Sequence, residues 1–222
     1  MGETKLSEQS AATAKRLALI KGLTGTSKES STDFLKSDAI FQKLVTQETK
    51  AEQARDKVSN TIGLRDVKRD ELLLDFGDVL VGAKLGERTN PFKKFSKHTP
   101  YAMTRLPHAA ETKAVRDLTD AVLAKEPPAN VVRAITALLK ANDAVDEATS
   151  ALDIPSRALD TAFAARNAHL PVWQKALSSL RVQMKAALAN QPGAYAALFA
   201  PPEVSERPAP KKKAKKPKQP AA

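Results

Sequence analysis

Between Asn90 and Pro107 the chain reads NPFKKFSKHTPYAMTRLP, and this stretch concentrates side chains that could do chemistry. Phe92, Phe95 and Tyr101 alternate with Lys93, Lys94, Lys97 and Arg105. Aromatic faces set between cations could stack unpaired bases while the cations follow a phosphate backbone. The competing reading is structural. Phe92 and Phe95 stand three residues apart and could fold inward to cap the turn between two long helices. The two readings are compatible, because inward aromatics would leave an outward ring of lysines. We expect a structured hairpin tip first and a contact surface second.

A second basic segment closes the sequence. Arg207, Lys211, Lys212, Lys213, Lys215, Lys216 and Lys218 face no acid from position 207 onward, and the six lysines fall within eight residues. Each could neutralise a phosphate, which gives affinity without sequence readout. The bland reading is a solvated tail that keeps a helical protein soluble, and KKKAKK would also suit nuclear targeting in a eukaryote. The tail resembles the Lys/Ala/Pro-rich tails of linker histones and of some bacterial nucleoid proteins. That resemblance covers about fifteen residues and is compositional. It implies polyanion binding and does not extend to the rest of the chain.

These two segments hold the charge. Of the formal +11, +7 lies from Arg207 onward, which leaves +4 for residues 1–206. Lys84, Arg88, Lys93, Lys94, Lys97 and Arg105 against Glu87 give +5, so the remainder sums to −1. The sequence describes a near-neutral body with two basic appendages.

The sequence carries none of the common catalytic motifs. GLTGTSK (22–28) has no second glycine before its lysine, and GAKLGERT (82–89) has Glu87 where a phosphate loop needs lysine. A di-iron bundle needs Glu three residues before His, but Phe95, Arg105 and Arg166 precede His98, His108 and His169 at that spacing. There is no G-x-S-x-G. His169, near Trp173, reads as a partly exposed packing residue. The absence of cysteine excludes disulfides and thiolate chemistry. We therefore expect no catalytic residue, no cofactor, no metal and no small-molecule substrate. No apolar run approaches the ~20 residues that cross a bilayer, so no membrane association is expected.

The elements that must position these residues are helices. Hydrophobic residues make up 42% of the chain and aromatics only 5%, so alanine and leucine dominate the core, and both favour helix over strand. We expect an all-α fold: an elongated antiparallel bundle or hairpin of long helices with a disordered basic C-terminal tail. Residues 1–31 read as a flexible lead with a short helix along Leu6, Leu17, Ile20 and Leu23, ending in a linker at TGTSKESST (24–32). A helical bundle follows over 32–200. Its long helix, 33–84, is capped by Thr32 or Asp33 and carries Phe34, Phe41, Leu44, Ala51, Val58, Ile62, Leu72, Leu73, Phe76 and Leu80. Gly63 and Gly77 are the expected bends, and the charged run RDVKRDE (65–71) weakens the stripe.

The basic loop occupies 85–106, with Pro107 opening the next helix. Further helices are expected over 107–126, 129–153, 156–190 and 193–199. The second of these carries Val132, Ile135, Leu139, Asn142, Val145, Thr149 and Leu152, with Asn142 and Thr149 as register-setting polar residues. The third carries Leu159, Phe163, Leu170, Trp173, Leu177, Leu180, Met184 and Leu188, kinked at Pro171. Arg55, Arg65 and Arg69, each followed by aspartate, read as a solvated, self-neutralised face. Residues 201–222 hold too little apolar surface to fold.

The expected function is non-catalytic: a structural or accessory protein, cytoplasmic, that associates with nucleic acid or another polyanion without sequence specificity. If the source is bacterial it would be nucleoid-associated, and if eukaryotic a nuclear location would fit. The alternative is an assembly or scaffold protein whose apolar stripes form coiled-coil-like contacts, as in a homo-oligomer, with the tail only solubilising.

Overall fold

The computed structural model of the chain describes residues 3–201. Within them the protein is all-α, with seven helices and no strand. In chain order these are α1 (Glu3–Leu17), α2 (Gly25–Gly82), α3 (Pro100–Met103), α4 (His108–Leu123), α5 (Ala129–Ser150), α6 (Asp153–Ala187) and α7 (Pro192–Phe199). Apart from Pro201, the segment 201–222 lies outside the described residues, and with it the tail lysines.

The long helix expected over 33–84 starts eight residues earlier and takes in most of the segment that composition assigns to a linker. Its serines and threonines explain the difference. Ser31 Oγ donates to the Ser27 carbonyl at 2.6 Å and Thr32 Oγ1 to that of Lys28 at 3.0 Å. Hydroxyls that often compete with the helix are thus satisfied one turn back. Gly63, Gly77 and the charged run 65–71 do not interrupt α2. Pro155 lies in the first turn of α6, where its missing N–H has no helical partner to lose. Pro171 stands inside α6 without ending it.

The chain divides into two compact units. One gathers residues up to Lys43 and those from His169 onward. Its core holds Leu17, Phe34, Phe41, Trp173, Leu180, Met184 and Leu198. Phe41 stacks on Trp173 with ring centroids 4.8 Å apart, and Trp173 Nε1 donates to Asp38 Oδ1 at 3.1 Å. The buried face of α1 is mostly hydroxyl, with Ser7, Ser10 and Thr13 beside Leu17. Gln42 satisfies two of them: its Oε1 accepts from Ser7 Oγ at 2.8 Å and its Nε2 donates to Ser10 Oγ at 2.8 Å. Of the apolar face expected in the lead, Leu17 alone is fully buried.

The other unit comprises Leu44–Ala168. Its core is built from Leu73, Phe76 and Leu80 of α2, Phe92 and Met103 of the loop region, Val115, Leu118 and Val122 of α4, and Val131, Ile135 and Leu138 of α5. Helices α4 and α5 pack on each other across the turn 124–128. Of the stripe expected on α5, Ile135, Asn142 and Val145 are buried, but other positions shift to neighbouring residues. Val131 and Leu138 are buried, while Val132 is exposed and Leu139 only partly covered. Likewise Phe163 of α6 is 48% exposed rather than core, and Arg166 stacks over it at 4.8 Å.

Candidate functional site

The basic loop begins where α2 stops. Lys84 takes a left-handed conformation (φ 59°), and the N–H groups of Leu85 and Gly86 return to the Leu80 carbonyl at 2.9 and 3.1 Å. Gly86 is required by space: a Cβ there would lie 2.7 Å from the Pro91 carbonyl oxygen. The loop then winds on short side-chain bonds. Asn90 Oδ1 accepts from the Phe92 N–H at 3.2 Å, Ser96 Oγ from the His98 N–H at 3.1 Å, and Thr99 Oγ1 caps α3 through the Ala102 N–H at 3.1 Å. Its apolar side chains point into the unit. Phe92 and Met103 are fully buried, Phe92 sits 6.1 Å from the Phe76 ring, and Phe95 and Leu106 pack half-buried on the same core.

Two of the three aromatics named for base stacking are therefore core residues. Phe92 has no exposed surface to offer a base, and Phe95 spends most of its own on packing. The physical reason is the closing of α2: a long helix ending in a loop must cover its last apolar turn, and these two rings do so. Tyr101 is different, being 61% exposed. Arg105 lies over its ring at 4.1 Å and also donates from Nη2 to the Tyr101 hydroxyl. Lys94 and Lys97 are exposed, and Lys93 is exposed but paired with Glu87 at 3.1 Å. Lys211, Lys212, Lys213, Lys215, Lys216 and Lys218 lie outside the described residues.

The same unit holds a buried charge cluster centred on Arg69, a residue expected on a solvated, self-neutralised face of α2. Arg69 has no solvent exposure. Its Nη2 bonds both Glu111 and Asp66, and its Nη1 donates to Thr112 Oγ1 at 3.3 Å. Glu111 is itself 1% exposed. His108 Nδ1 lies 3.1 Å from Asp66 Oδ1, and Asn142 of α5 donates to the Thr112 carbonyl at 3.3 Å. Asp70 Oδ1 and Glu111 Oε1 are buried with no donor. Burial foremost, then the nearby charge of Asp70 and Asp66, pushes Glu111 up to about 8 against the opposing pull of Arg69. Asp70 is also raised, by burial first, while Glu111, which can donate to it, works the other way.

Asp66, Asp70 and Glu111 each offer a carboxylate oxygen, and these lie within 4.8 Å of one another, close enough to share a metal ion. Arg69 Nη2 already bridges Asp66 and Glu111, so the guanidinium occupies the cation position between those two. In the other unit, His169 Nε2 lies 3.0 Å from the Ser37 carbonyl and 3.2 Å from Ser37 Oγ. Bonded to a carbonyl, that nitrogen carries the proton and cannot act as base toward the hydroxyl.

Two signals in the sequence point to the cluster. Ile62, Arg69 and Phe76 are seven apart, which sets Arg69 on the apolar stripe of α2. Glu111 stands four before Val115, on the buried face of α4. No protein-family model, no curated protein and no solved structure matches the chain.

Proposed function

We propose that this chain is a non-catalytic structural or accessory protein that binds nucleic acid or another polyanion without sequence specificity. The carrying observation is the division of labour in the loop. Phe92 and Met103 anchor it inward, which leaves Lys94, Lys97, Arg105 and Tyr101 on a backbone held by local bonds and facing solvent. Cations on an ordered backbone meet phosphates at less entropic cost than cations on a free chain. The Lys-rich tail would add affinity of its own, up to one phosphate per lysine.

The test is a titration with a random duplex and a single strand at two salt concentrations, comparing the full chain with one ending at Glu206. Salt-steep binding supports the proposal, and no binding by either chain refutes it. The alternative of an assembly protein draws on α2, where Leu64, Val67 and Leu74 are 76%, 59% and 46% exposed on one helical face. Self-association that survives tail deletion and is broken by charges at those positions would favour it.

A further inference from the structure

The buried cluster leaves polar atoms without partners. Asp70 Oδ1 and Glu111 Oε1 are two acceptors with no donor; Arg69 has committed its Nη groups to Glu111 Oε2, Asp66 Oδ1 and Thr112 Oγ1, and its buried Nε–H bonds neither oxygen. A buried acceptor left without a donor is costly. Charge tells the same story. Asp66 is partly exposed and within reach of His108, but an ionised Asp70–Glu111 pair with Arg69 as its one guanidinium would leave excess negative charge beside an apolar core. One proton between the two orphan oxygens would supply the missing donor and remove that excess.

We propose that Asp70 of α2 and Glu111 of α4 share a single proton that clamps the first turns of α4 to α2, and that releasing this proton opens the clamp. The charged and titratable groups around the pair are Asp66 and Arg69 from α2 and His108 from α4. Helix α5 contributes the neutral Asn142, which holds Thr112, while Arg65 turns away to the Ala144 carbonyl at 2.7 Å. Both carboxyl groups are raised, Glu111 from 4.5 to about 8. The sign follows. The folded state binds the proton more tightly than the unfolded chain, so the clamp is fully present below the ordinary glutamate value and is lost as pH rises through about 8. Helix α4 starts directly after Pro107, so the clamp fixes the root of the basic loop. The inference stands on the cluster alone and does not depend on polyanion binding.

The experiment uses the full chain. The side-chain carboxyl carbon of Glu111 is titrated by NMR, and amide exchange over 108–115 is followed between about pH 6 and 9 after correction for intrinsic rates. The expected result is a Glu111 transition near 8. Local opening should increase by up to about tenfold per pH unit below that transition. E111Q carries its own N–H donor and should keep α4 protected across the range. A Glu111 transition in the ordinary carboxylate range, with protection rising from acid, would overturn the proposal in favour of a plain ion pair with Arg69. So would disappearance of the pH dependence in millimolar Mg2+ or Mn2+, since a cation rather than a proton would then join the pair. If E111Q does not fold, D70N decides. Without Asp70, Glu111 should titrate well below its wild-type value, and an unchanged transition would overturn the shared proton.

Discussion

At the scale of the residue, Arg69 is the most demanding side chain in the protein. A guanidinium with no exposure survives only because two carboxylates and a hydroxyl surround it. Replacing it with methionine keeps the volume and strands the acids, and breaking a buried pair in this way costs about 3–5 kcal/mol. Urea unfolding of R69M should show that loss, and the loss should be larger at high pH, where more of the acids are ionised. The raised carboxyl groups of Asp70 and Glu111 also set the pH profile of the wild type. Their folded values exceed their unfolded ones, so thermal stability should decline from mild acid towards alkali, opposite to the trend of a surface-paired carboxylate. Melting temperatures rising over the same range would show that the cluster does not dominate. This site is legible in the sequence through spacing and not through composition. The run RDVKRDE looks solvated when counted by charge, yet the seven-residue steps from Ile62 to Arg69 to Phe76 put one of its arginines on the core stripe. Composition averages over a helix, whereas burial is decided face by face.

At the scale of the element, the loop 85–106 is an ordered structure built on glycine, proline and inward aromatics. Truncating Phe92, which has no exposed surface and lies against Phe76, should cost about 3–5 kcal/mol. Gly86→Ala forces a methyl group to 2.7 Å from a backbone oxygen and should cost about 1–3 kcal/mol, the range for overpacking. Lys94→Ala and Lys97→Ala, by contrast, should stay within about 0.5 kcal/mol of wild type, as exposed positions do. Chemical denaturation of the four variants checks the pattern, and a large loss at Lys94 or Lys97 would contradict it. The fold at this level was largely readable. The periods of three, four and seven gave the helices, and the prolines and glycines marked most of their joints. The start of α2 is hidden in the sequence because the Ser and Thr of 26–32 are turn formers by composition. The hydroxyls of Ser31 and Thr32 instead satisfy carbonyls one turn back within the helix. Ile135, Asn142 and Val145 of the α5 stripe are buried as their spacing implies, whereas Val131–Val132 and Leu138–Leu139 are adjacent pairs that spacing leaves open. Either member fits the period, and packing chose the first.

At the scale of the whole molecule, the question is which basic segment carries polyanion binding, and salt can separate them. Each phosphate neutralised on duplex DNA contributes about −0.9 to the slope of log affinity against log salt. Six tail lysines, all engaged, would give a slope of roughly −5, and Lys94, Lys97 and Arg105 would add roughly −3. A chain ending at Glu206 loses +7 of its formal charge but keeps the loop. If the loop is a contact surface, that chain should retain weak binding with a slope near −3, and replacing Lys94, Lys97 and Arg105 by alanine should abolish it. Tyr101 sharpens the same test, because its ring is covered by Arg105 on one face and the side chain is still mostly exposed. A base stacking there would make the truncated chain prefer a single strand to a duplex, a preference lost in Tyr101→Ala. A truncated chain that binds neither strand leaves the loop as the closure of α2 and assigns all polyanion affinity to the tail.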